Sequence, residues 1–271
     1  MAKWISNARM YSVTPAIETV WRDLLGKIAS AADVDLEYIH YPAPQPLETL
    51  WARPDLGSVF MCGYPIALGL ADIRPIAAPI PAATWAGGKP LYRSDLIVRS
   101  DAPFLTLEDT FGLKTGWTVQ HSHSGFNAWR HHLLRYRTAA RPTLYGSVLP
   151  NMVTARNVLD AVRDGTIDIG PLDAYWHTLI AHHAPELVKG TRVLHSTDLA
   201  PIPAFVAAPG LPEAAFLRLQ QSFLAAHDAP WFQAYAVPLA LQGFAAVGIA
   251  DFQTTLDWDR RAKADGYMFP A

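Results

Sequence analysis

A single cysteine, Cys62, occurs in 271 residues, so no internal disulfide can form and the redox compartment is left open. Charge is also scarce. Charged residues make up 17% of the chain, and 22 Lys and Arg against 24 Asp and Glu leave a net charge of −2. Without a basic field the chain is not equipped to hold nucleic acid or an anionic membrane surface, so any bound anion has to be held by local groups. No uninterrupted apolar run is long enough to insert into a bilayer, because Asp72, Arg74 and several prolines break the stretch from 65 to 83. The first residues, Met1-Ala2-Lys3-Trp4-Ile5-Ser6-Asn7, lack the apolar run and small-residue cleavage site of a secretory signal. A periplasmic location is therefore expected if a leader has been removed, and a cytoplasmic one otherwise. Low-complexity linkers and clear internal repeats are missing too, which argues against domains strung on a tether. What is present is apolar: 51% of residues are hydrophobic, enough for one large or two modest globular domains.

Strand and helix patterns alternate along the chain. Residues 4–8 read as a strand, and Thr14-Pro15 then opens a helix whose apolar stripe is Ile17, Val20, Trp21, Leu24, Leu25 and Ile28. A strand over 36–41, a short helix over 47–51, and strands over 57–61, 73–80 and 91–98 follow. From about Arg99 the alternation starts again, with strands over 113–119, 143–146, 167–170 and 192–195 and helices over 151–164 and 173–183. A strand over 203–207 and helices over 212–226 and 251–264 complete the chain. This layout predicts an α/β fold of two Rossmann-like lobes with parallel sheets, joined by crossover strands, with a cleft between them. Residues 1–97 with 199–271 form the first lobe and 98–198 the second, with a hinge near Val98 and Thr197. Trp21, Trp51 and Trp258 sit at helical core positions, whereas Asp257, Asp259, Arg260 and Arg261 read as a solvated helix face.

The stretch Gln120-His121-Ser122-His123-Ser124-Gly125-Phe126-Asn127 joins a strand end to a helix start. Ser122 and Ser124 are good N-cap types, and Gly125 permits a close approach of the backbone to a ligand. A helix start presents amides without intrahelical acceptors and a partial positive charge, which together suit a phosphate or carboxylate. Ordinary capping would use the same residues. In open parallel sheets ligands lie beyond the carboxyl ends of strands. Here those ends are Met10-Tyr11, Cys62-Gly63-Tyr64, Ser122 to Gly125 and Leu172-Asp173, whose rings and hydroxyls suit a small-molecule pocket.

These residues resemble the type II solute-binding proteins of ATP-driven (ABC) importers, in particular the phosphate/phosphonate-binding group. Ser122-His123-Ser124-Gly125-Phe126 is similar to that family's Ser-Thr-Ser-Gly-Phe helix start, which binds phosphonate oxygens. Val158-Leu159-Asp160-Ala161-Val162 through Ile167-Asp168-Ile169-Gly170 resembles its alanine-valine, glycine, valine-aspartate segment, and Tyr11 and Tyr92 match its cleft aromatics. The resemblance implies a receptor that closes on a small, anionic, phosphate- or phosphonate-like solute. Ser122, His123, Ser124 and Gly125 would hold the anion, with Tyr11, Cys62, Gly63, Tyr64 and Tyr92 lining the site and Asp173 selecting the far end. An ABC permease would be the partner, with no cofactor, metal or catalytic residue. Two departures stand out: Val148 follows Gly146-Ser147 where the family places a phosphonate-contacting His, and Pro203-Ala204-Phe205 stands where it places an acidic residue. Both argue against an aminophosphonate.

The alternative is a cytosolic enzyme on the same fold, similar to menaquinone-pathway enzymes or pyrimidine-precursor synthases. There His123, Cys62 or Asp173 would transfer protons on a planar or carboxylated metabolite. Cys62, at a strand end before a helix, occupies a place where a thiol can be activated, but the sequence offers no evident His partner. His121 and His123, with His131 and His132 downstream, lack third-ligand spacing for a metal.

Overall fold

The computed structural model describes residues 3–271; Met1 and Ala2, the first residues of the segment read for a signal, lie outside them. The chain forms two units, Met1–Tyr92 with Pro201–Gln253 and Arg93–Ala200 with Thr254–Ala271. The sequence expectation put 254–271 with the first unit. The reason for the difference is visible in the packing, because Tyr267 is part of the second unit's core with Leu96, Val98, Trp129, Leu133 and Ile169.

The first unit begins with β1 (Trp4–Asn7), α1 (Pro15–Ala32), β2 (Leu36–Tyr38), α2 (Leu47–Trp51), β3 (Leu56–Met61), α3 (Gly63–Leu68), β4 (Arg74–Pro81) and β5 (Leu91–Tyr92). Thr14 caps α1, its hydroxyl accepting from Ile17 N at 3.3 Å, and Pro15 occupies the first turn, where no amide is needed. The second unit holds β6 (Ser94–Arg99), β7 (Lys114–Gly116), α4 (Ala128–Leu133), β8 (Ser147–Leu149), α5 (Ala155–Arg163), β9 (Ile169–Asp173), α6 (Ala174–His183), α7 (Pro185–Val188) and β10 (Thr191–Ser196). After β11 (Ala200–Pro201) the chain returns through β12 (Ala204–Ala207), α8 (Glu213–Ala225), α9 (Gln233–Ala236) and β13 (Leu241–Ala245), and ends in α10 (Gln253–Ala264).

The sheets are mixed, not parallel as the alternation predicts. In the order β13-β4-β12-β3-β1-β2, the neighbours of β1 are parallel, but β12 runs antiparallel to both β3 and β4, and β13 antiparallel to β4. The returning strand slots between two strands laid down long before it, and no local pattern encodes that direction. In the second sheet, β10-β6-β9-β7-β8, β6 is antiparallel to both its neighbours. Burial explains why β3 reads so clearly: all six of its residues are covered. Phe60 on β3 stacks on Phe205 of β12 with ring centroids 3.7 Å apart, and Trp21 meets Phe60 edge-on at 5.3 Å.

Candidate functional site

The start of the helix that carries α4 is a π turn over His123–Asn127, in which Asn127 N donates to Ser122 O at 3.0 Å. Such wide turns are rare and concentrate at functional sites. Ser122 takes the N-cap position and its Oγ accepts from Gly125 N at 3.0 Å. The glycine has a structural reason: a Cβ there would lie 2.0 Å from Thr118 Oγ1 and 2.9 Å from Thr118 Cγ2. The close approach that Gly125 permits is therefore to the protein's own Thr118. Ser124, nearly buried, offers its carbonyl to Ser94 Oγ at 2.8 Å.

His123 is 1% exposed. Its Nδ1 is 3.2 Å from Asn127 Nδ2, and its ring stacks on Trp258 with centroids 5.2 Å apart. Burial, followed by the neighbouring His131, pushes its pKa down to about 3, so it is a neutral imidazole at ordinary pH. Asn127 is satisfied on both sides. Its Oδ1 accepts from Arg130 at 3.1 Å and its Nδ2 donates to Thr255 O at 2.7 Å, an orientation assigned from these partners.

Asp173 ends β9 and caps α6, its Oδ1 accepting from Tyr175 N at 2.9 Å and Trp176 N at 3.0 Å. In the sheet register it stands opposite Ser94. Ser94 thus links Asp173 to Ser124, bringing together within one unit the second-unit residues singled out from the sequence. Ser94, Thr118 and Asn127 were missed. The one available signal was their closeness in sequence to strand ends and to the helix start, since no local pattern pairs Ser94 with Ser124 or Asn127 with Thr255.

Tyr11, Cys62, Gly63, Tyr64 and Tyr92 all lie in the first unit and all are buried. Tyr11 packs edge-on against Phe60 at 5.1 Å, and its carbonyl accepts from Trp21 Nε1 at 3.2 Å. Cys62 precedes α3 with its Sγ 3.8 Å from the hydroxyl of Tyr92. A Cβ on Gly63 would meet Phe252 at 2.6 Å. Among the described residues no group of three or more His, Cys, Asp or Glu side chains is arranged to hold a metal ion.

Residues 15–252 match the family described as "ABC transporter, phosphonate, periplasmic substrate-binding protein". The chain belongs to this family. Solved structures agree on the two-lobe fold of periplasmic binding proteins. A binding protein component of an ABC phosphonate transporter from Pseudomonas aeruginosa is 15% identical, with a TM-score of 0.80 over 98% of this chain and 88% of that one. A Prochlorococcus marinus protein in complex with methylphosphonate is 13% identical, with a TM-score of 0.77 over 96% and 98%. A Xanthomonas citri protein bound to ATP is 18% identical, with a TM-score of 0.68 over 98% and 99%. No curated protein matches the sequence. Membership in this phosphonate-binding family implies a small-molecule ligand and a permease partner, and the family is one of periplasmic proteins. Among the described residues no helix is long and apolar enough to cross a membrane.

Proposed function

We propose that this phosphonate-family protein captures a small anionic solute, of phosphate or phosphonate type, for delivery to an ABC permease. The turn from Ser122 to Gly125 carries the reading, because it is a capped helix start whose residues resemble the Ser-Thr-Ser-Gly-Phe helix start of that family. Gly125 N is taken by Ser122 Oγ, so the amides of His123 and Ser124, early in the turn, are the donors assigned to the anion. Methylphosphonate and ATP, named for two of the similar structures, share anionic oxygens on phosphorus. Tyr11, Cys62, Gly63, Tyr64 and Tyr92 are assigned to the first unit's share of the site and Asp173 to its far end, with binding favouring closure of the two units. Periplasmic action, after removal of any leader, follows from the same reading. Two observations weigh against proton-transfer chemistry: burial pushes the His123 pKa down to about 3, which leaves its stacked ring a weak base, and Asp173 Oδ1 caps a helix.

A thermal-shift panel of phosphate, alkylphosphonates, sulfonates, carboxylates and planar heterocycles tests this reading. A ligand present at about a hundred times its dissociation constant stabilises the fold by roughly 2.7 kcal/mol. The reading predicts hits among phosphorus anions. Hits confined to planar aromatics would overturn it.

A further inference from the structure

The π turn does not stand on its own sequence. Every polar atom of the Asn127 side chain is used to hold it: Nδ2 reaches His123 Nδ1 inside the turn and Thr255 O on α10, while Oδ1 takes a hydrogen bond from Arg130. Arg130 is fully buried, pairs with the buried Asp259 of α10, and donates to Met268 O at 3.1 Å. Trp258 lies between two histidines of the binding helix, with His123 at 5.2 Å and His131 at 4.5 Å, the latter ring parallel to within 2°. The C-terminus adds Phe269, stacked on Trp117 at 6.3 Å, and Ala271, whose carbonyl accepts from Leu144 N at 2.8 Å. On the other side of the turn Thr118 Oγ1 is buried without a hydrogen-bond partner, facing Gly125 and Ser122. A buried hydroxyl left unsatisfied costs free energy, so its presence points to an incoming ligand oxygen as the missing partner.

We infer that the C-terminal segment, α10 and the residues after it, is a working part of the anion site: through Asn127 and Trp258 it holds the Ser122–Asn127 turn in its wide π form. The inference rests on the anion reading of that turn. An α-helical start would make its backbone bonds one residue closer and rotate the amides of His123 and Ser124 away from their present direction. Asn127 is a positioning residue here, and the helix that positions it lies 128 residues further along the sequence at Thr255.

The experiment uses the full chain and methylphosphonate. Amide spectra of the ligand-free protein and calorimetric titration are compared for wild type, Asn127→Ala, Trp258→Ala and, as a surface control on α10, Arg260→Ala. The expected result is a changed amide pattern over 122–127 in Asn127→Ala before any ligand is added, and affinity weaker by about tenfold or more. Trp258→Ala should weaken binding in the same direction, and Arg260→Ala should match wild type. Trp258→Ala keeps the test open if Asn127→Ala fails to fold. Wild-type amide positions and affinity in both variants would overturn the inference. If wild type binds neither methylphosphonate nor phosphate, the anion reading fails, while the ligand-free spectra still decide whether α10 sets the turn.

Discussion

Gly125 has no room for a side chain while Thr118 stays in place. Alanine there would put Cβ 2.0 Å from the Thr118 hydroxyl, and overpacking of this kind costs about 1 to 3 kcal/mol, readable as a lower urea midpoint. Shortening Thr118 as well, in Gly125→Ala with Thr118→Ser, relieves the contact with Thr118 Cγ2 and should recover part of the loss. His123 and His132 give a second residue-scale expectation. Burial pushes both down to about 3, from roughly 6.5 in an unfolded chain. Between those values the unfolded chain binds protons that the folded chain does not, so stability rises with pH and is lost as pH falls below about 6.5. Each histidine contributes a slope of up to ~1.4 kcal/mol per pH unit in that window. Urea unfolding at pH 7 and pH 5 should show the drop, and His132→Phe should flatten it; equal drops in both proteins would contradict the assignment. From sequence, Ser122 and Gly125 were legible as a cap and a close-approach glycine because their chemistry is local. Thr118, which decides why the glycine is there, was not, since nothing in a strand end announces what it will face.

Helix starts were legible where Thr14, Ser122 and Asp173 satisfy nearby amides with their own side chains, whereas the Thr154 cap was not read. Asp173→Ala should destabilise α6 by about 1 kcal/mol, and Asp173→Asn much less, since an amide oxygen can still accept. Strands were less legible where tertiary pairing makes them. The expected strand over 143–146 is replaced by β8, and β13 was not anticipated at all, because its pairing with β4 spans most of the chain. The helix expected from 151 begins at Ala155; Asn151 and Val153 have positive φ, which no helix accommodates. Asp259, read as part of a solvated face, is 2% exposed, and the cause is Arg130 on another element. Removing one partner of a buried pair strands the other, so Asp259→Ala should cost about 3 to 5 kcal/mol in equilibrium unfolding. Trp258, expected in the core, is instead partly covered, lying between two imidazoles.

For the molecule as a whole, alternation of strand and helix was enough to foresee two α/β units, and the family match over 15–252 places the chain among phosphonate-type periplasmic substrate-binding proteins. The chain passes between units after Tyr92, Ala200 and Gln253, one passage more than the sequence suggested. The third passage gives the C-terminus to the unit that carries the Ser122–Gly125 turn, and the contacts that fix it there, among them Arg130 with Asp259 and Tyr267 in the core, are all long-range. If the units close on a ligand, small-angle scattering should show a smaller radius of gyration with saturating methylphosphonate than without it. The claim on which the account depends is that the turn itself holds the anion. The most direct measurement is an amide-resolved titration of the protein with methylphosphonate, followed residue by residue. The account predicts that the largest shifts fall on His123 and Ser124 and saturate together. Saturating shifts that leave these two amides unmoved would place the ligand elsewhere and contradict it.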